Sequence, residues 1–330
     1  MPVNRKSRKT KSTPEVLTIN GQKVEPGEER DIRVPIARLP SGTEIDIPIL
    51  VSRAKAPGPV VLLMAGLHGD EINGVEILRR FVRSGYHRPF CGTTLTIPLV
   101  NIFGFINYNR EAVPGKDVNR SFPGSKTGSL GSRLAAYIRQ EILPWVDFGI
   151  DFHTGGGSRY NFPQTRAVLK DPLTMELAEA FAAPFSIDAP LRPGSLRQTA
   201  AKMGKPIIVY EGGESLRFDQ FAIAEGLEGL MRMLAHFNMQ ESLVPQTKSR
   251  HLIEKMTWVR AKQGGMFQPF VEPGVPIDQR QPLGIVGDTL GNSRFMVESQ
   301  RAGFVLAVNY APVVNMGDAL LNIGRNTRLL

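Results

Sequence analysis

Hydrophobic positions along the chain fall into two rhythms. Between residues 15 and 53 they alternate with polar ones, as in Ile32-Arg33-Val34-Pro35-Ile36 and Thr43-Glu44-Ile45-Asp46-Ile47-Pro48-Ile49. A period of two predicts strands with one wet face. Asn20-Gly21, between Val16–Ile19 and Val24, predicts a hairpin. This stretch should form an extra antiparallel layer or the first edge of a larger sheet.

From residue 58 to about 240 the order becomes strand, helix, strand, helix. Val60 to Ala65 is an unbroken apolar run, followed by Val75, Ile77, Leu78, Phe81 and Val82 at helical spacing. Leu95–Val100, Val146–His153 and Pro206–Tyr210 read as further strands. Helices are expected over residues 126–143, over 172–183 with Asp171 as cap and Pro172 in the first turn, and over 219–238. The order predicts an α/β fold with a mixed sheet. Residues 241–256 turn polar and are read as a linker. Beyond them glycines and prolines punctuate short apolar pieces, which predicts a smaller all-β module over 257–330. The expected organisation is therefore an arm (1–13), a main unit with a β-rich amino-terminal layer (14–240), a linker (241–256) and an all-β unit (257–330).

Composition changes this picture little. The chain has 330 residues, 42% hydrophobic and 22% charged, ordinary for a globular protein. Its net charge of +9 invites a nucleic-acid reading. However, Arg5, Lys6, Arg8, Lys9 and Lys11 precede any acidic residue and supply five of the nine charges. Such a basic arm reads as a disordered, solvated terminus, and no nucleic-acid recognition motif follows it. Cys91 is the only cysteine, so no intrachain disulfide is available. No signal peptide or membrane-length apolar run is present. The expectation is a cytoplasmic protein without membrane or nucleic-acid partners, its oligomeric state open to homo-oligomerisation.

Candidate chemistry lies at the strand ends. Ala65-Gly66-Leu67-His68-Gly69-Asp70-Glu71-Ile72-Asn73-Gly74 sets an imidazole and a carboxylate three residues apart on a glycine-rich turn. A catalytic zinc site needs three protein ligands and an open fourth position. Of the other histidines, His153 alone lies where a strand, Asp151-Phe152-His153, meets glycines, Gly155-Gly156-Gly157. His68, Glu71 and His153 are thus the candidate ligands. Carboxyl ends of strands are where α/β sheets assemble sites. Glu211 ends the apolar strand Pro206–Tyr210 before Gly212-Gly213 and is the candidate general base, with Glu214 as its rival. Asp70 and Asp151 could serve backbone turns.

Three motifs together, Gly66 to Gly74, Asp117-Val118-Asn119-Arg120-Ser121-Phe122-Pro123-Gly124 and Asp151 to Gly156, resemble the succinylglutamate desuccinylase/aspartoacylase family. The likeness runs over roughly residues 40 to 325. It implies a zinc carboxypeptidase-like domain, one Zn2+ per chain and amide hydrolysis of a small N-acyl substrate that carries a carboxylate. It implies Asn119 and Arg120 as carboxylate binders, Arg110 as the group polarising the scissile carbonyl, Asp117 as partner of the first histidine, and Glu211 as the catalytic acid-base group. Arg197 is assigned to the acyl end of the substrate. The carboxy-terminal module is similar to the barrel-sandwich fold of lipoyl carriers. Residues 264–330 contain no Lys, so it cannot carry a swinging arm and is expected to wall the cleft. Alternatives are a carboxypeptidase acting on short peptides and an inactive small-molecule-binding relative.

Overall fold

Ala56–Ala65, the strand that delivers His68, is central to a twelve-stranded sheet and apolar on both faces. Val60, Leu62 and Met64 enter one hydrophobic layer, with Leu95, Leu134 and Ile138. Val61, Leu63 and Ala65 enter the opposite one, with Ile77, Phe81, Phe181, Tyr210 and Leu230. That double burial explains why the run shows no alternation. The computed structural model describes residues 16–329 except 39–40, 114, 242, 246–249 and 292. The basic arm of residues 1–13 lies outside them.

Across the sheet the strands run Pro276–Ile277, Gly303–Asn309, Ala319–Leu329, His251–Arg260, Phe185–Asp188, Arg159–Ala167, Ile207–Glu214, Phe148–Gly155, Ala56–Ala65, Cys91–Ile97, Glu44–Arg53 and Glu29–Arg38. Parallel pairs join Ile207–Glu214, Phe148–Gly155, Ala56–Ala65 and Cys91–Ile97. Antiparallel strands flank them, so the sheet is mixed. Glu29–Arg38 and Glu44–Arg53 form its edge, the second of the two expected placements. The Asn20-Gly21 hairpin pairs Leu17–Ile19 with Gln22–Val24 as a separate ribbon, with both turn residues at positive φ.

Helices follow their caps. Asp171 accepts the Thr174 N–H at 2.8 Å, with Pro172 in the first turn of Pro172–Phe181. Asp219 caps Gln220–His236 through Ala222 at 2.8 Å. The helix expected over 126–143 starts only at Leu130, where Ser129 provides the cap, and widens into a π turn over Ile138–Ile142. No helix among the described residues is long and apolar enough to cross a membrane.

The linker expectation for 241–256 needs correction in its second half. Residues 251–256 begin the strand His251–Arg260, whose first residues pair with Phe185–Ile187 and whose full length pairs with Ala319–Leu329. Both partners are distant in sequence, so the polar local composition gave no sign of them. Beyond residue 260 all regular structure is β, as expected. Four short strands form a second sheet, ordered Arg294–Glu298, Pro282–Gly287, Gly265–Pro269 and Val313–Val314. Pro276–Ile277, Gly303–Asn309 and Ala319–Leu329 continue the main sheet, and Ala307–Asn309 also pairs with Arg159–Asn161.

Candidate metal centre and its cleft

The site begins with side-chain parity. On Phe148–Gly155 the even residues Phe148, Ile150 and Phe152 fill one hydrophobic layer, which leaves Asp151 and His153 together on the other face. On Ile207–Glu214, Ile208 and Tyr210 enter that same layer, so Glu211 shares the face of His153, its register partner on the neighbouring parallel strand. His68 arrives from the turn after Ala65. Gly66 there is left-handed, at φ 62°, and a Cβ on Gly69 would overlap the backbone of Gly104 and Phe105. The turn is tied to the loop beyond by Gly69 N–H to the Arg110 carbonyl, 3.4 Å. Glu71 stands at the cap position of helix Ile72–Arg83, but its carboxylate makes no cap bond. It turns inward instead.

His68, Glu71 and His153 are all buried and converge. His68 Nδ1 lies 2.8 Å from Glu71 Oε1, His153 Nδ1 lies 2.7 Å from Glu71 Oε2, and the two Nδ1 atoms are 3.1 Å apart. The outward nitrogens are both engaged: His68 Nε2 with Asp117 Oδ1 at 3.1 Å, His153 Nε2 with Asp151 Oδ2 at 2.7 Å. An imidazole that donates Nε2–H to a carboxylate presents a lone pair at Nδ1. Two lone pairs and a carboxylate at these separations repel one another unless positive charge lies among them. A metal ion would meet that need, as would a proton on either imidazole. The separations are close to the roughly 3.3 Å edge of a tetrahedron with ~2.0 Å metal–ligand bonds, and carboxylate support of each imidazole is the usual outer arrangement of a metal site.

Electrostatics agree in direction. Burial pulls the proton affinity of both imidazoles down, but Glu71 and Asp117 outweigh it at His68, and Asp151 and Glu71 outweigh it strongly at His153. Burial raises Asp117, yet His68 and Arg110 hold its carboxyl well below the usual range. Three carboxylates around two imidazoles thus draw cationic charge inward.

Above this cluster opens a cleft of about 350 Å3, lined by His68, Glu71, Arg110, Asn119, Arg120, His153, Arg197 and Glu211 among others. Arg110 Nη1 reaches Glu71 Oε1 at 2.7 Å and its Nη2 reaches Asp117 Oδ2 at 3.1 Å. Asn119 Oδ1 accepts the Leu196 N–H at 3.0 Å, and the Arg120 guanidinium folds onto the Asn119 carbonyl at 2.6 Å. Glu211 Oε2 accepts a hydrogen bond from the Asn161 amide and forms an ion pair with Arg166 Nη2 at 3.0 Å. Glu214, the rival, does not line the cleft and faces Arg217 at 4.0 Å. Met256 and Trp258, from the strand that continues into the carboxy-terminal module, supply part of the wall.

Sequence reasoning missed several residues here. Asp151, which by its place in the sequence could serve a backbone turn, instead holds His153 with its carboxylate. The signal was present, because residues two apart on a strand share a face. Arg159, Arg166 and Arg192 also line the cleft, making six arginines with Arg110, Arg120 and Arg197. Their spacing in sequence carries no motif. Arg197 is lowered to about 10 by burial and by neighbouring Arg166, and Arg192 is lowered by burial and by Arg120 and Arg166.

The model of the succinylglutamate desuccinylase/aspartoacylase catalytic domain matches residues 57–237. An N-alpha-acetyl-L-2,4-diaminobutyric acid deacetylase of Halomonas elongata is 28% identical over 306 residues, 88% of this chain and 89% of that protein. The solved structure of a succinylglutamate desuccinylase/aspartoacylase from Rhodobacter sphaeroides aligns with TM-score 0.80 at 25% identity, covering 91% of this chain and 95% of that one. A product-bound ectoine utilization protein from Ruegeria pomeroyi aligns with TM-score 0.81 at 22% identity, over 96% and 98% of the two chains.

Proposed function

We propose the function of this chain from one premise: it belongs to the succinylglutamate desuccinylase/aspartoacylase family. It is a zinc-dependent amidohydrolase that removes the acyl group from a small N-acyl amino acid. The observation that carries this reading is the convergence of His68, Glu71 and His153, each imidazole backed by its own carboxylate, beneath a cleft that also holds Glu211. Zinc in such a site supplies an acidified water, with pKa near ~7, and polarisation of a carbonyl.

The chain's own groups do the rest. Glu211 accepts the proton of the attacking water and returns it to the nitrogen as the C–N bond breaks and the C–O bond forms. Arg110, held between Glu71 and Asp117, presents remaining N–H donors to the carbonyl oxygen as it gains charge. Asn119 and Arg120 take the carboxylate of the amino-acid half, for which a planar guanidinium is suited.

Charge in the cleft narrows the substrate. Glu71 and Asp117 pair with Arg110, and Glu211 pairs with Arg166. Among the described residues, no carboxylate stands within ion-pair distance of Arg120, Arg159, Arg192 or Arg197, although Glu211 attracts Arg192 and Arg197 from farther off. Like charges crowded in a partly buried cleft are relieved by an anionic ligand. The proposed substrate therefore carries at least two negative charges. A cationic side chain, such as the diaminobutyrate named for the Halomonas relative, is disfavoured.

Release of free amine from a panel of N-acyl amino acids tests this. Dianionic members should turn over with higher kcat/KM than neutral or cationic ones, and preference for a cationic member would reverse the assignment. Glu211→Gln should lower turnover by about 10²–10⁴-fold with metal content unchanged; undiminished activity would remove Glu211 from its role.

A further inference from the structure

Glu211 is held by one oxygen only. Asn161 Nδ2 donates to Oε2 and the Arg166 guanidinium forms an ion pair with the same oxygen at 3.0 Å, while no described residue donates to Oε1, and the side chain lines the cleft. We propose that Asn161 and Arg166 are positioning residues that fix the Glu211 carboxylate with Oε1 directed into the cleft. This rests on the reading of Glu211 as the proton-transferring group.

The backbone is built for this grip. Arg159–Ala167 runs antiparallel to Ile207–Glu214, with Val209 opposite Arg166 and Glu211 opposite Gln164. Asn161 and Arg166 are five residues apart, so a regular strand would point them to opposite faces. The register shifts between Glu211 and Gly213: Gly213 faces Asn161, which leaves one residue more on the Asn161 side than on the other. Pro163 lies in the extra stretch, and a proline has no N–H to donate to a ladder, which suits a bulge. The shift restores parity and brings the Asn161 amide round to the same carboxylate as Arg166. Asn161 is 6% exposed, and its backbone is paired on the far side with Ala307 of the carboxy-terminal module.

The need for the grip follows from the local chain. Glu211 precedes Gly212 and Gly213, the latter at φ 79°, and no large side chain follows to confine it. A carboxylate is planar, so one hydrogen bond and one ion pair on Oε2 set where Oε1 points. Misplacing a reacting group by about 1 Å costs on the order of 100-fold in rate.

Two variants and a rescue test the proposal. Asn161→Asp keeps the volume but cannot donate, and Arg166→Met removes the charged partner. Each should lower kcat by about 10–100-fold with KM changed less than about threefold, at wild-type metal content. Arg166→Lys should recover part of the loss. Crystal structures of both variants should show the Glu211 carboxylate rotated or split between rotamers. Glu211 unmoved in both variants would overturn the proposal. So would a rise in KM alone, which would make Arg166 a substrate-binding group. If the wild-type protein hydrolyses no N-acyl amino acid, the deacylase reading fails, and the Glu211 rotamer still decides this inference.

Discussion

At the scale of single residues, the pairing of each imidazole with its own acid gives the site its chemistry. Asp117 and Asp151 keep His68 and His153 in the tautomer that offers Nδ1, and they hold the rings in place. Losing such a partner typically weakens metal binding 10–100-fold. Asp151→Ala should therefore raise the apparent Kd for zinc by about that factor in a chelator competition, and an unchanged affinity would show that Asp151 plays no part. The three candidate ligands were legible in sequence because each lies where an apolar run stops at glycine. Asp151 was legible in principle, by its period of two with His153. Arg166 was not, since its partner Glu211 lies 45 residues away and only a strand register with a bulge brings them together.

At the scale of elements, turns and strand edges position those residues. The turn after Ala65 passes so close to Gly104 and Phe105 that a side chain at Gly69 has no room. Gly69→Ala should cost about 1–3 kcal/mol, the usual range for overpacking. The change would be read as a lower denaturation midpoint, and wild-type stability would contradict the packing. A second tie joins the sheet edge to the loop after helix Ile72–Arg83. His87 Nε2 lies 3.0 Å from Glu29, which Arg88 also holds at 2.9 Å. Burial pushes the His87 imidazole below its ordinary value despite Glu29. The unfolded chain takes up that proton near pH ~6.5, and the native chain only at lower pH. This contribution to stability is full above about pH 6.5 and is lost as pH falls toward the native value. In His87→Gln the decline in urea midpoint as pH falls below about 6.5 should flatten, and a slope equal to wild type would refute the linkage. Elements made of contiguous sequence, such as the apolar strands and capped helices, were readable in advance. The strand beginning at His251 was not, because its paired residues are all at least 59 positions distant.

At the scale of the whole molecule, long-range pairing assembles one cleft from segments spread over nearly 200 residues, His68 to Trp258. The all-β character of the last quarter was readable from its turns. Its attachment to Arg159–Asn161 was not; it backs the strand that carries Asn161 and Arg166, and Trp258, at the entry to the module, lines the cleft. Six arginines scattered along the sequence likewise come together in a single cleft only when folded. Every functional statement still depends on a cation shared by His68, Glu71 and His153. Anomalous diffraction at the zinc edge, from crystals grown with zinc, measures that directly. The expected result is a single strong peak about 2.0–2.1 Å from both Nδ1 atoms and a similar distance from a Glu71 oxygen. A map with no peak there, or with zinc held by other residues, would contradict the account.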